Sequence, residues 1–145
     1  MQMKLPGGAG REPDVFFVAR EHLGRVLNNR LDGPADLVIE VISDESVTRD
    51  REDKFYEYEA AGIPEYWIVD PRPNRHRAYF YQLDDHGHYQ PIAPGSDGRY
   101  HSRALPSFWL KPDGLWQEKL PDHLLAVAEM IGPDKLIDFI RRGQL

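Results

Sequence analysis

Short, densely apolar runs alternate along this chain with longer polar stretches, and their spacing sets out the expected elements. "DVFFVA" (14–19) is apolar and aromatic, is bounded by Pro13 and is too short for a helix, so it reads as a strand. A polar connection over 20–33 follows, with a helical turn expected at 20–26 and "LDGPAD" as punctuation. "PADLVIEVIS" carries the second strand, 36–43. After it, "SDESVTRDREDKFYEYEAAG" offers Ser46, Thr48 and Asp50 as N-caps, an acidic first turn and Gly62 as a stop, which predicts a helix over 48–61.

"YWIVD" (66–70), fenced by Pro64 and Pro71, is rich in aromatic and β-branched residues and predicts a third strand. "RAYFYQLDDHGHYQPI" predicts a hairpin of 78–83 with 88–92 around an Asp-Asp-His-Gly turn. "GRYHSRALPSFWLKPDGLW" reads as a shorter strand and a loop pinned by Phe108, Trp109 and Trp116. Beyond Asp122, the apolar positions Leu124, Leu125, Val127, Ala128 and Ile131, then Leu136, Ile137, Phe139 and Ile140, have helical spacing. Gly132 and Pro133 split them into two amphipathic helices, expected to serve as a docking or packing appendage. The start, with Gly7, Gly8 and Gly10, reads as a mobile segment.

A single helix between the second and third strands points to an α/β fold of the mixed-sheet, α+β kind rather than a doubly wound dinucleotide fold. No glycine-rich phosphate loop opens that helix, which lowers the expectation of a nucleotide cofactor. The expected organisation is one domain over 1–118 with a helical appendage, 119–145, belonging to it.

Composition narrows the chemistry. At 145 residues the chain is long enough for a core without cross-links, and the absence of cysteine excludes disulfides, zinc-thiolate sites and a thiol nucleophile. No apolar run reaches the ~20 residues of a membrane helix, so a cytoplasmic protein with no membrane partner is expected. The net charge of −6 argues against a uniformly basic coat but leaves room for a local basic groove beside a carboxylate cluster. The six histidines show no metal-binding spacing, and no G-x-S-x-G elbow supports serine hydrolase chemistry.

Glu40 stands out as an acid in the middle of an apolar strand. Alternation puts it on one face with Asp36, Val38 and Ile42, and Leu37, Ile39 and Val41 on the other. Asp36 lies four residues away along the strand, about 13 Å, too far to share an ion with Glu40. A second carboxylate must come from a neighbouring strand, and Asp14 approaches Glu40 if the first two strands run antiparallel. Oxygen ligands of this kind suit Mg²⁺ or Mn²⁺. Lys54, the only lysine between Lys4 and Lys111, lies on the following helix with Tyr58 on its face. The competing reading of Glu40 is a buried acid in a structural ion pair. Asp36 reads as a cap at the mouth of its strand, Asp70 as a turn former before Pro71, and "RPNRHR" (72–77) as a solvated loop that is also the best local candidate for phosphate contacts.

Pro13-Asp14 before "VFFV", then "PADLVIEVIS", a polar helix with "DK", and "AAGIPEYWIVDP" closely resemble the Uma2 family (DUF820) of restriction endonuclease-like proteins, part of the PD-(D/E)XK nuclease superfamily. The resemblance covers about residues 12–116. It implies a restriction endonuclease-like core followed by C-terminal amphipathic helices, and a Mg²⁺- or Mn²⁺-dependent endonuclease acting on DNA. Asp14 and Glu40 would be the metal carboxylates, the backbone carbonyl of Val41 a further ligand, and Lys54 the catalytic lysine. Ile42 occupies the usual lysine position two residues after Glu40, so Lys54 must supply the cation from the helix. Family members usually carry a helix and a hairpin before the Pro-Asp strand. A shortened N-terminus is therefore expected here, leaving a sheet edge that would favour a homodimer. The alternative expectation is a catalytically inactive module of the same fold, dimeric or DNA-associated.

Overall fold

The computed structural model describes residues 1–8, 10–43, 48–119 and 122–143, with the side chains of 48–51 outside that description. The expected cap Ser46 and the capping side chains of Thr48 and Asp50 therefore lie outside the described residues. The chain divides into two compact units, Met1–Ala93 and Pro94–Leu145.

In the first unit the strands are β1 (Gln2–Lys4), β2 (Gly10–Arg11), β3 (Val15–Phe17), β4 (Arg30–Asp32) and β5 (Leu37–Val41). Helix α1 (Thr48–Ala60) follows, then β6 (Glu65–Asp70), β7 (Arg77–Leu83) and β8 (Tyr89–Pro91). A five-stranded sheet has the order β3-β5-β6-β7-β8. β3 runs antiparallel to β5, β5 parallel to β6, and the remaining pairs are antiparallel, giving the mixed sheet expected from the sequence. The hairpin closes where expected. The Asp84 carboxylate accepts from the amides of His86 and His88, both at 2.9 Å, and Gly87 takes a positive φ of 80°.

Helix α1 ends as its sequence predicts. Gly62 adopts φ 74°, its amide donates to Glu59 O (2.9 Å), and the Ile63 amide donates to Tyr58 O (3.1 Å), the paired bonds of a Schellman stop. Tyr58, Ile63, Tyr66, Ile68 and Tyr89 join Val38 and Ile42 in one buried cluster on a single face of the sheet. Phe55 stands edge-on to Tyr81 and Tyr89, at 5.0 and 5.2 Å between centroids.

The start of the chain differs from expectation. Where only a glycine-rich segment was expected, β1 pairs antiparallel with β2, Gly7 and Gly8 take positive φ, and β4 pairs with β1 in parallel. Met3 and Leu31, both fully buried, carry this small three-stranded sheet into the main core cluster. Arg11 clasps Glu57 of α1 through two hydrogen bonds of 2.6 and 2.8 Å. Within 20–33, the expected helical turn is a 3-10 helix (Arg20–Arg25), but the rest of that connection contains the unexpected strand β4.

The second unit contains the short antiparallel pair β9 (Tyr100–His101) and β10 (Trp109–Leu110), with the Arg99 guanidinium 4.0 Å above the Trp109 ring. Two helices follow, α2 (His123–Ile131) and α3 (Pro133–Arg141), split at Gly132-Pro133 as the sequence predicts. The Asp122 side chain caps α2 by accepting from the amides of Leu124 (2.9 Å) and Leu125 (3.2 Å).

Candidate functional site

The site grows from the register of β3 on β5. Val15 pairs with Ile39 and Phe16 with Val38, so Asp14, one residue before β3, falls opposite Glu40. Parity places both acids on the sheet face that carries α1. The exposed Asp14 carboxylate accepts a 2.7 Å hydrogen bond from the Val41 amide, which ties the two strand ends together. Its other oxygen makes no hydrogen bond among the described residues.

Glu40 is 7 % exposed. Lys54 Nζ donates to its Oε2 at 3.0 Å, and the Tyr58 hydroxyl donates to its Oε1 at 2.7 Å. Both donors come from one face of α1, because residues four apart stand one above the other. Burial, with the Glu40 charge beside it, pushes the Tyr58 hydroxyl far above its usual range, so it stays protonated and donates to Glu40. The structure thus gathers Asp14, Glu40, Val41 and Lys54 at one end of β5. The sequence had placed Tyr58 on the face of Lys54, but its bond to Glu40 is new. The i, i+4 spacing was the available signal.

The donor set can be weighed against a divalent ion. Among the described residues no group of three or more His, Asp or Glu side chains forms a ready-made cage. Two carboxylates with adjacent main-chain carbonyls are nonetheless hard oxygen donors, and Mg²⁺ commonly binds through one or two carboxylates while keeping several waters. Lys54 offsets one of the two negative charges, leaving a net attraction for a cation. Each Glu40 oxygen keeps a second lone pair beyond its present bond. The residues fit such an ion.

The neighbouring acids have other tasks. Asp36 accepts from the Ala19 amide (2.7 Å) and pairs with His22 Nδ1 (2.7 Å), as suits a cap at the mouth of β5. Asp70 takes a bidentate clasp from Arg72, at 2.8 Å to each oxygen, which lowers its carboxyl to about 2. That bond fixes the turn after β6, as the sequence suggested for Asp70. Glu65, fully buried on the opposite sheet face, accepts from Trp67 Nε1 at 2.6 Å and is a packing acid with no sequence signal to announce it.

No helix among the described residues is long and apolar enough to cross a membrane. No curated protein matches the chain. A family model described as "Uma2: Putative restriction endonuclease" matches residues 1–113, a span that contains the whole five-stranded sheet, α1 and the Asp14, Glu40 and Lys54 cluster, and stops before α2. The mixed sheet crossed by one helix agrees with the restriction endonuclease-like fold, and the chain belongs to the Uma2 family.

Proposed function

We propose that the protein is a Mg²⁺- or Mn²⁺-dependent endonuclease that hydrolyses DNA phosphodiester bonds in the cytoplasm, with Asp14, Glu40 and Lys54 as its working residues. The observation that carries this reading is the convergence of two separate elements, the start of β3 and helix α1, on Glu40 of β5. Asp14 lies opposite it by strand register, and Lys54 reaches it from α1 at 3.0 Å. Asp14, Glu40 and the carbonyl of Val41 would hold the ion. When bound, the ion supplies charge stabilisation at a phosphodiester oxygen and an acidified water. Lys54 supplies a fixed positive charge for the negative charge that develops on phosphorus oxygens, where a preorganised donor matters most. Tyr58 keeps Glu40 turned toward that position. A plasmid nicking assay with Mg²⁺ or Mn²⁺ tests the reading: Glu40→Gln and Lys54→Met should each lower nicking at least about 100-fold. Unchanged nicking in either folded variant overturns it.

A second reading is favoured by one specific feature. Both Glu40 oxygens are already engaged by Lys54 and Tyr58, as in a closed structural ion pair. On this reading the chain is a catalytically silent module, dimeric or DNA-associated, whose three-residue edge strand β3 is available for pairing with a second copy. Absence of Mn²⁺ binding by calorimetry, together with a stable dimer in light scattering, would favour it over the enzyme.

A further inference from the structure

The loop joining β6 to β7, together with the first residue of β7, carries Arg72, Arg75, His76 and Arg77 with no acid between Pro71 and Arg77, in a chain whose net charge is −6. Its position follows from the register. β5 and β6 are parallel with Val41 opposite Val69, so the chain leaves β6 at the same end of the sheet where Glu40 and Val41 lie and where Asp14 leads into β3. Asp70, the root of the loop, shares Glu40's sheet face, one strand across and two residues further along. At ~4.8 Å between strands and ~3.3 Å per residue, the two backbones are roughly 8 Å apart.

The loop is built rather than slack. Arg72 is fastened to Asp70 by its bidentate pair, the Arg75 amide donates to Arg72 O (2.9 Å), and Asn74 turns the chain with φ 62°. Arg72 is thereby committed to holding the turn, while Arg75 and Arg77 are exposed beyond it. Arg77 makes a long 3.5 Å bond to the Tyr79 hydroxyl, which among the described residues leaves most of its guanidinium edge for another acceptor.

We propose that this loop is the phosphate-contacting surface for duplex DNA at the site, with Arg75 and Arg77 binding backbone phosphates next to the one presented to Glu40 and Lys54. The inference rests on the nuclease reading for its substrate. The chemistry is that of positional, sequence-independent contact: guanidinium forks match phosphate oxygens, and successive phosphates of one strand advance by only ~3.4 Å along the duplex axis. A basic loop at the mouth of an otherwise acidic protein also gives the polyanion one favourable approach.

The test measures binding apart from cleavage. A fluorescein-labelled duplex of about 20 base pairs and mixed sequence is titrated in EDTA across a series of KCl concentrations, following anisotropy, with nicking assayed separately in Mg²⁺. The variant Arg75→Ala/Arg77→Ala is compared with wild type and with the charge-matched Arg141→Ala/Arg142→Ala. Loss of two phosphate contacts should lower the slope of log affinity against log salt by about 2 and weaken binding about 10- to 100-fold, with the control pair changing affinity less than about 3-fold. Equal weakening by both pairs, or wild-type binding by the loop variant, overturns the inference even if wild type nicks plasmid. Wild type that binds through the loop but does not nick supports the inference while overturning the nuclease reading. Wild type that neither binds nor nicks overturns both. Circular dichroism checks that the variants fold, and the main-chain bond from the Arg75 amide to Arg72 O survives either alanine.

Discussion

Removing Lys54 asks how much the site depends on its cation. In Lys54→Met the ammonium 3.0 Å from Glu40 is replaced by an apolar chain of similar length, and Glu40, 7 % exposed, keeps only the Tyr58 hydroxyl among the described residues. Breaking a fully buried pair by removing one partner costs about 3–5 kcal/mol. Lys54 retains 19 % side-chain exposure, so water can partly replace it, and a loss of about 1–3 kcal/mol is expected. Tyr58→Phe removes a 2.7 Å hydrogen bond to a charged group, worth about 1.5–3 kcal/mol. Glu40→Gln removes the charge itself, keeps an acceptor for Tyr58 and leaves Lys54 access to water, so its cost should stay below about 1.5 kcal/mol.

The expected ranking therefore separates stability from activity. Glu40→Gln should be the mildest of the three in stability and among the most damaging in nicking. Urea unfolding at pH 7 by circular dichroism gives the midpoints, and hydrogen exchange at the β5 amides reports the same loss locally, apart from any independent transition of the second unit. If Lys54→Met and Tyr58→Phe both unfold within about 0.5 kcal/mol of wild type, Glu40 is not held as the distances indicate, and the reasoning fails.

Two further outcomes follow from other parts of the first unit. Met3→Ala should cost about 2–4 kcal/mol, seen as a lower urea midpoint at unchanged slope, because Met3 is fully buried in the core cluster; wild-type stability would mean that β1 is not part of that core. Asp70 has a folded-state carboxyl lowered from 3.8 to about 2 by its bond to Arg72, so its contribution is present at neutral pH and is lost as the pH falls from about 4 toward 2. That contribution is at most about 2.5 kcal/mol and about 1 once solvent screening at the partly exposed Arg72 is allowed for, so Asp70→Asn should lower stability at pH 7 and flatten its fall below pH 4, as read from urea midpoints. Identical acid limbs in the two proteins would contradict it.

The strands that frame the site were legible because each is a continuous apolar or aromatic run between prolines or polar turns. Antiparallel pairing of the first two then brought Asp14 to Glu40, which is what the Val15–Ile39 register gives. β1 and β4 were illegible for a physical reason. Each is three residues long with a single inward side chain, Met3 or Leu31, so no period exists to detect, and the partner lies far away in sequence. Periodicity in α2 and α3 identified which residues share a face but not whether anything covers it. Leu125 and Ile140 remain 68 % and 50 % exposed. The bonds of Val41 to Asp14 and of Tyr58 to Glu40 depend on sub-ångström placement that spacing alone does not carry.

The ammonium that meets Glu40 comes from α1 rather than from position 42, and the structure gives a reason. Position 42 lies on Glu40's face but points into the core: Ile42 is 5 % exposed and belongs to the cluster with Tyr58 and Ile68. A lysine there would bring an ammonium into apolar surroundings at a large desolvation cost. Residue 54 approaches the same carboxylate from above, with 19 % of its side chain exposed, so the charge keeps contact with water. Because Tyr58 lies one turn further along α1, a single helix face claims both Glu40 oxygens, and it fixes the carboxylate's rotation as well as its partner. Phe55, on the same helix, packs edge-on against Tyr81 and Tyr89 of the sheet. The geometry of the site is therefore set by how α1 seats on β5 to β8, and a core substitution under α1 should disturb Glu40 as directly as one beside it.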